Sequence, residues 1–168
     1  MGLVCLDTHL LIWGVKEEAE AGQESMIPKT KAFLKHLDRS GDKVAIPSIV
    51  LGEFLMRVPA DDHAQIINYL TRKFIILPCD LIAASMFARI WRSKQDDNTY
   101  DRLREDFSAS REELKADCFI VATAVAHNAS CIYSYDPKLA KFAEGYIEVK
   151  EMPNLPVQLE LYPTSTET

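Results

Sequence analysis

The sequence has four cysteines, Cys5, Cys79, Cys118 and Cys131, and no two of them form a CxxC pair. That removes the spacing a thiolate metal site needs. Lying in apolar segments, they read as buried, reduced thiols of a cytoplasmic protein. No apolar run is long enough to cross a membrane, so no membrane association is expected. The N-terminus lacks a basic region followed by a long apolar stretch, which argues against a signal peptide. Basic residues are in deficit, 19 Lys and Arg against 25 Asp and Glu, for a net charge of −6. A protein that grips nucleic acid by bulk electrostatics needs the opposite balance. The deficit does not exclude a nuclease, because an acidic metal site recruits its own positive charge. His9, His36, His63 and His127 show no metal spacing such as HExxH and receive no role.

What is present is an ordinary globular composition, 48% hydrophobic and 26% charged over 168 residues. One domain with a real core is the default at this length. Strand-like runs occur at Leu3–Leu6, Lys43–Ile46, Phe74–Leu77 and Cys131–Tyr135, with a weak fifth near Tyr146–Val149. Helical patterns lie between them. Pro28–Leu37 is amphipathic, and Ser48 looks like the cap of a helix through Arg57. Asp61–Thr71 and Asp80–Trp91 are further helices. Ser110-Arg111-Glu112-Glu113 fits a capping box for a helix to about His127. Asp136-Pro137 reads as cap and first residue of a short helix through Phe142. Strands alternating with helices predict an α/β domain with a parallel sheet. Lys94–Ser110 is dense in mixed charge and reads as a solvated helix or loop. The tail from Met152 carries three prolines, and its end is expected to be disordered.

Four carboxylates sit in awkward places. Asp7 halts the apolar run LVCL just before a second apolar run. Alone it could be a helix N-cap. Glu53 shares a stripe with Ile49 and Met56, the spacing of a core-facing helix side. Asp117 shares a face with Leu114, Val121 and Ala124. Each is costly to bury without a partner. A Glu paired with an Arg, or snorkelling to the edge, would account for Glu53 alone. Asp136 follows CIYSY as Asp7 follows LVCL, though Asp-Pro at a helix start needs no catalytic reason. Taken together they converge, because ligands of parallel sheets bind beyond the carboxyl ends of strands. Carboxylates gathered there cannot all ionise cheaply without a counter-charge. Mg²⁺ or Mn²⁺, hard cations that take oxygen ligands, would supply it.

The order Asp7, Glu53, Asp117, Asp136 resembles the PIN domain, a family of metal-dependent ribonucleases. VCLDTHLLIW is similar to its first motif and SIVLGEFL to its second. ADCFIVATAVAHNASCIYSYD is similar to the third and fourth combined. The match runs from Leu3 to about Val149. The resemblance implies a three-layer α/β/α fold with a central parallel sheet of four to five strands. On this reading residues 1–150 form one domain with a charged insertion at about 94–113, and 151–168 form a C-terminal extension. It implies one or two Mg²⁺ or Mn²⁺ ions held by Asp7, Glu53, Asp117 and Asp136. It implies RNA as substrate, hydrolysed at its phosphodiester bonds. Many members are VapC-type toxins, so an antitoxin and a homodimer are the implied partners. Thr8 and Ser134 would hydrogen-bond water around the ions. Arg57, Arg89, Arg92 and Lys94 are candidates for phosphate contact.

Two rival readings fit the residues less well. An aspartyl-phosphate enzyme using Asp7 needs a second Asp two residues on, where His9 stands. A non-catalytic PIN-like scaffold has no need of four converging carboxylates.

Overall fold

A computed structural model describes residues 2–155. Five short strands form one sheet: β1 (Leu3–Leu6), β2 (Lys43–Pro47), β3 (Ile75–Leu77), β4 (Cys131–Tyr133) and β5 (Glu148–Lys150). All neighbouring strands are parallel, in the order β3-β2-β1-β4-β5. Parallel pairing needs crossovers, and helices supply them. Among the described residues, eight α-helices flank the sheet: α1 (Thr8–Leu11), α2 (Met26–Ser40), α3 (Ser48–Leu55), α4 (His63–Lys73), α5 (Leu81–Asp96), α6 (Thr99–Phe107), α7 (Arg111–Ala126) and α8 (Pro137–Ala143). A π-helical turn, Ile12–Lys16, continues α1, and a 3₁₀ turn, Ala60–Asp62, precedes α4.

The strand order has one reversal. From β1 the chain builds outward through β2 and β3, then returns to the other side of β1 for β4 and β5. The gap between the carboxyl ends of β1 and β4 is therefore the switch point, where open α/β sheets bind their ligands. The two ladders stay joined up to that edge, since the Asp7 N–H donates to the Tyr133 carbonyl at 3.1 Å.

The middle of the sheet, β2, β1 and β4, is buried because these strands are apolar on both faces. Cys5, Leu6, Ala45, Ile46 and Ile132 are fully enclosed. Gly14 lets the π-helical turn lie against α2. A Cβ there would come within 2.8 Å of Leu34 and Thr30 side-chain atoms. Beyond the sheet, Phe119 stacks on Phe87 with centroids 3.9 Å apart, and Trp91 stacks on Phe142 at 5.9 Å. These rings tie α5 to α7 and α8. Met152 is buried as well, so the packed body continues past β5.

Several sequence expectations shift here. The predicted cap Ser48 is the first residue of α3 and makes no capping bond; Pro47 holds the cap position. The core side of α3 is Val50 and Phe54, both fully buried. Met56 is 86% exposed, so the Ile49–Glu53–Met56 stripe lies along the margin of the core. Cys5, Cys118 and Cys131 are buried free thiols, and burial pushes those of Cys5 and Cys118 up to about 12. Cys79 departs from expectation, being exposed two residues beyond β3. The charged segment after Lys94 is largely helix α6, with Leu103 buried and Tyr100 edge-on to Trp91 at 5.1 Å. The predicted disorder at the end of the tail falls outside the described residues. Among the described residues, no helix is long and apolar enough to cross a membrane.

Lys94 is the clearest correction. It was a candidate for phosphate contact, yet it is only 4% exposed. Its Nζ donates to the Glu144 carbonyl at 3.0 Å and lies over the Tyr146 ring at 5.7 Å. The amine thus binds a carbonyl left over at the C-terminus of α8, where a cation is favoured. Lys94→Ala should cost about 2 kcal/mol, from an orphaned carbonyl and a lost alkyl stem. That is a melting drop on the order of 5 °C for a chain this size. A thermal melt checks it. An unchanged melt with weakened RNA binding would restore the phosphate role.

Candidate active site

All four carboxylates are carried by helices beyond the sheet, two at helix starts and two on helix faces. Asp7 caps α1, its Oδ1 accepting from the Thr8 N–H at 2.7 Å. The capping reading is therefore correct as far as it goes. Its second oxygen, Oδ2, accepts from the Ser134 hydroxyl at 2.6 Å. Ser134 also receives the Asp136 N–H at 3.0 Å. One buried hydroxyl thus joins the ends of β1 and β4. Asp136 caps α8, accepting from the Lys138 N–H at 2.8 Å, with Pro137 next in the first turn as its sequence implies. Glu53 reaches the cluster from α3, where its Oε2 accepts from the Thr8 hydroxyl. So Thr8 and Ser134 both bind carboxylates directly.

Asp117 comes from α7, whose start is fixed by the predicted Ser110–Glu113 capping box. Its face is buried with Leu114, Val121 and Ala124. The side chain is 8% exposed, and Oδ2 is buried with no hydrogen-bond partner. An orphaned carboxylate oxygen is expensive unless something else meets it.

The four groups act on one another electrostatically. Burial pushes Asp117 up to about 8, and the charges of Asp136, Asp7 and Glu53 add to the rise. Burial also raises Asp7, against the hydrogen bonds from Ser134 and Thr8, with Asp136 adding to it. Glu53 is raised by burial first and by Asp7 and Asp136 in smaller part, against its Thr8 hydrogen bond. The charges acting on these groups are their own, His9 and Lys138. Arg57, Arg89 and Arg92 are exposed and are not among them.

Sequence reasoning missed Lys138. Its Nζ is 3.1 Å from Asp136 Oδ2, and both side chains are about four-fifths buried, at 22% and 19% exposure. Burial pulls its amine down, but the bond and charge of Asp136, then Asp117 and Glu113, raise it on balance. The available signal was a cation in the first turn of a helix, where the dipole disfavours one. His9 was also passed over. It is exposed, stands over Trp13 with centroids 5.6 Å apart, and its charge bears on Asp7 and Glu53.

The donor set is all hard oxygen, which suits Mg²⁺ or Mn²⁺ over softer metals. The unpartnered Asp117 oxygen and the raised carboxyls both call for positive charge at this edge. On these grounds the residues fit a divalent ion. Among the described residues, no three His, Cys, Asp or Glu side chains make a ready-made metal cage. An open set suits an ion that keeps part of its water shell, as Mg²⁺ does.

The raised carboxyls have a consequence for stability. Unfolded, Asp117 loses its proton near its ordinary 3.8; folded and metal-free, it keeps it to about 8. Between those values the folded state binds more protons, so stability falls as pH rises. Denaturant melts in EDTA at pH 5, 6, 7 and 8 should show this decline, and Asp117→Asn should flatten it. A wild-type curve flat across the window would contradict the burial of an uncompensated carboxyl.

Comparison with known proteins gives this arrangement a context. A search of curated proteins finds no match. Among solved structures, VapBC2 from Rickettsia felis, bound to a DNA fragment from its promoter, has a chain similar to this one at TM-score 0.62 and 12% identity. The alignment covers 90% of this chain and 99% of that one, and it shows a shared fold. VapBC-5 from Mycobacterium tuberculosis, a member of the VapBC family of toxin-antitoxin systems, aligns at 22% identity and TM-score 0.43, over 90% of this chain and 98% of that one. Residues 4–145 match the PIN domain, a span that begins in β1, ends just after α8 and takes in all four carboxylates; the chain belongs to the PIN domain family.

Proposed function

We propose that this protein is a metal-dependent endoribonuclease, acting in the cytoplasm as the toxin of a toxin–antitoxin pair. One observation carries the reading: the buried, partnerless Asp117 oxygen beside three other carboxylates at the switch point. Asp7, Glu53, Asp117 and Asp136 would hold one or two Mg²⁺ or Mn²⁺ ions, directly or through water. The chemistry an ion supplies in such a site is activation of water and neutralisation of charge on the phosphate.

The protein's own share is positioning. Ser134 and the Thr8 N–H hold both oxygens of Asp7. The Thr8 hydroxyl fixes Glu53. The Lys138 N–H and Nζ fix Asp136. Held this way, the carboxylates lose little further freedom when they are used. Arg57, Arg89 and Arg92 remain candidates for phosphate contact away from the cluster.

Family membership and the fold shared with the Rickettsia felis VapBC2 chain support the toxin reading, with an antitoxin and a second copy of the chain as partners. Expressed alone in bacteria, the protein should slow growth, and Glu53→Gln should relieve it. Harmless wild-type expression, with RNA cleavage measurable in vitro, would point to a PIN nuclease that is not a toxin. The open ligand set favours a second reading, a non-catalytic PIN-like binding protein. Absence of Mn²⁺ binding by the wild type would select it.

A further inference from the structure

Lys138 stands where an electrostatic argument would not put it. It is the second residue of α8, at the positive end of the helix dipole. Its Nζ nonetheless reaches back 3.1 Å to the carboxylate that caps the same helix. Asp117 and Glu113, both on α7, act on it as well. The helices α7 and α8 pack together, so this one amine faces acidic groups of both. Among the charges acting on Asp117, Lys138 is the cation. Asp117 Oδ2 is left without a hydrogen-bond partner, so the amine compensates the cluster without saturating it.

We propose that Lys138 is a resident counter-cation of the carboxylate cluster, which steadies the metal-free site and competes with the divalent ion for it. The inference rests on reading the four carboxylates as a metal site. A charge fixed on Asp136 does two things. Without the ion it offsets repulsion among Asp7, Glu53, Asp117 and Asp136, a role a free-standing acidic cluster would leave to salt. With an ion bound it would be a neighbouring like charge, and its hold on Asp136 Oδ2 would compete with use of that oxygen as a ligand. Ion affinity is thereby set below what the carboxylates alone would give, and occupancy follows the supply of divalent ions. Lys138 is a positioning residue in this scheme, acting through Asp136.

The test uses the full chain and needs no RNA. Calorimetric titration with Mn²⁺ would compare wild type, Lys138→Met, Lys138→Gln and Lys138→Arg, and melts in EDTA would accompany it. Removing the charge should tighten Mn²⁺ binding on the order of tenfold, since a fixed charge at this range acts strongly in a partly buried site. Lys138→Met and Lys138→Gln should also melt lower than wild type in EDTA. Lys138→Arg, which keeps the charge, should stay near wild type on both counts. Gln keeps a donor for Asp136, so it serves if Met fails to fold. Neutral variants that bind Mn²⁺ equally or more weakly would overturn the competition, while leaving the metal site standing. Wild type that binds no Mn²⁺ would overturn the metal site itself, and this inference with it.

Discussion

Asp117→Asn and Asp7→Asn should each cut Mn²⁺-dependent cleavage of single-stranded RNA on the order of a hundredfold or more, with the fold intact. Asn keeps the size of Asp and one of its oxygens but drops the charge. At Asp117 the structure gains nothing from that charge. The carboxyl is buried, faces three like charges against the one cation Lys138, and has one oxygen unpartnered. At Asp7 the cap survives, because Asn accepts the Thr8 N–H as well. Cleavage assays paired with circular dichroism separate the roles. Full activity in both variants would remove the carboxylates from the chemistry. Lost activity with lost structure would make them structural.

Mn²⁺ at about one hundred times its Kd should raise the melting temperature of wild type on the order of 5–10 °C. An ion that binds only the folded state contributes roughly 2.7 kcal/mol under those conditions, and a domain of this size gains a few degrees per kcal/mol. Asp7→Asn should gain much less from Mn²⁺, and in EDTA it should melt no lower than wild type. It loses a ligand, but it also loses a buried charge: burial, with a smaller addition from Asp136, already holds Asp7 above its ordinary range. The comparison in EDTA decides little alone, since Asn also caps helices. Equal Mn²⁺ shifts in wild type and Asp7→Asn would reduce Asp7 to a helix cap.

Asp7 and Asp136 were legible in the sequence because each interrupts an apolar strand at its carboxyl end. Chain direction alone then puts them at one edge of a parallel sheet. Asp117 was legible from helical spacing, since its face is otherwise apolar. Glu53 was found for a partly mistaken reason. The periodicity of α3 does not distinguish the core side, Val50 and Phe54, from the neighbouring stripe of Ile49 and Met56. Which side faces inward depends on how β2 presents the helix, a tertiary fact. Strand ends were off by one or two residues for a related reason. Tyr135 continues the apolar pattern, but the β4 ladder stops at Tyr133, where Ser134 turns to Asp7.

The lysines were read least well. Lys94 looked like part of a charged surface segment, because local composition reports charge and not distant partners. Its partner, Glu144, lies 50 residues on, at the end of α8. Lys138 sat among ordinary helix-start signals, and its meaning depends on Asp117 from α7 lying close by. Both cases show a long cationic side chain placed by contacts that spacing cannot encode.

The most direct test of the metal nuclease is reversible chelation of the wild-type protein on single-stranded RNA. Cleavage with Mn²⁺ should stop in EDTA and return when Mn²⁺ is restored in excess. Asp117→Asn should remain inactive throughout. Cleavage by wild type that persists in EDTA would contradict the account at its centre.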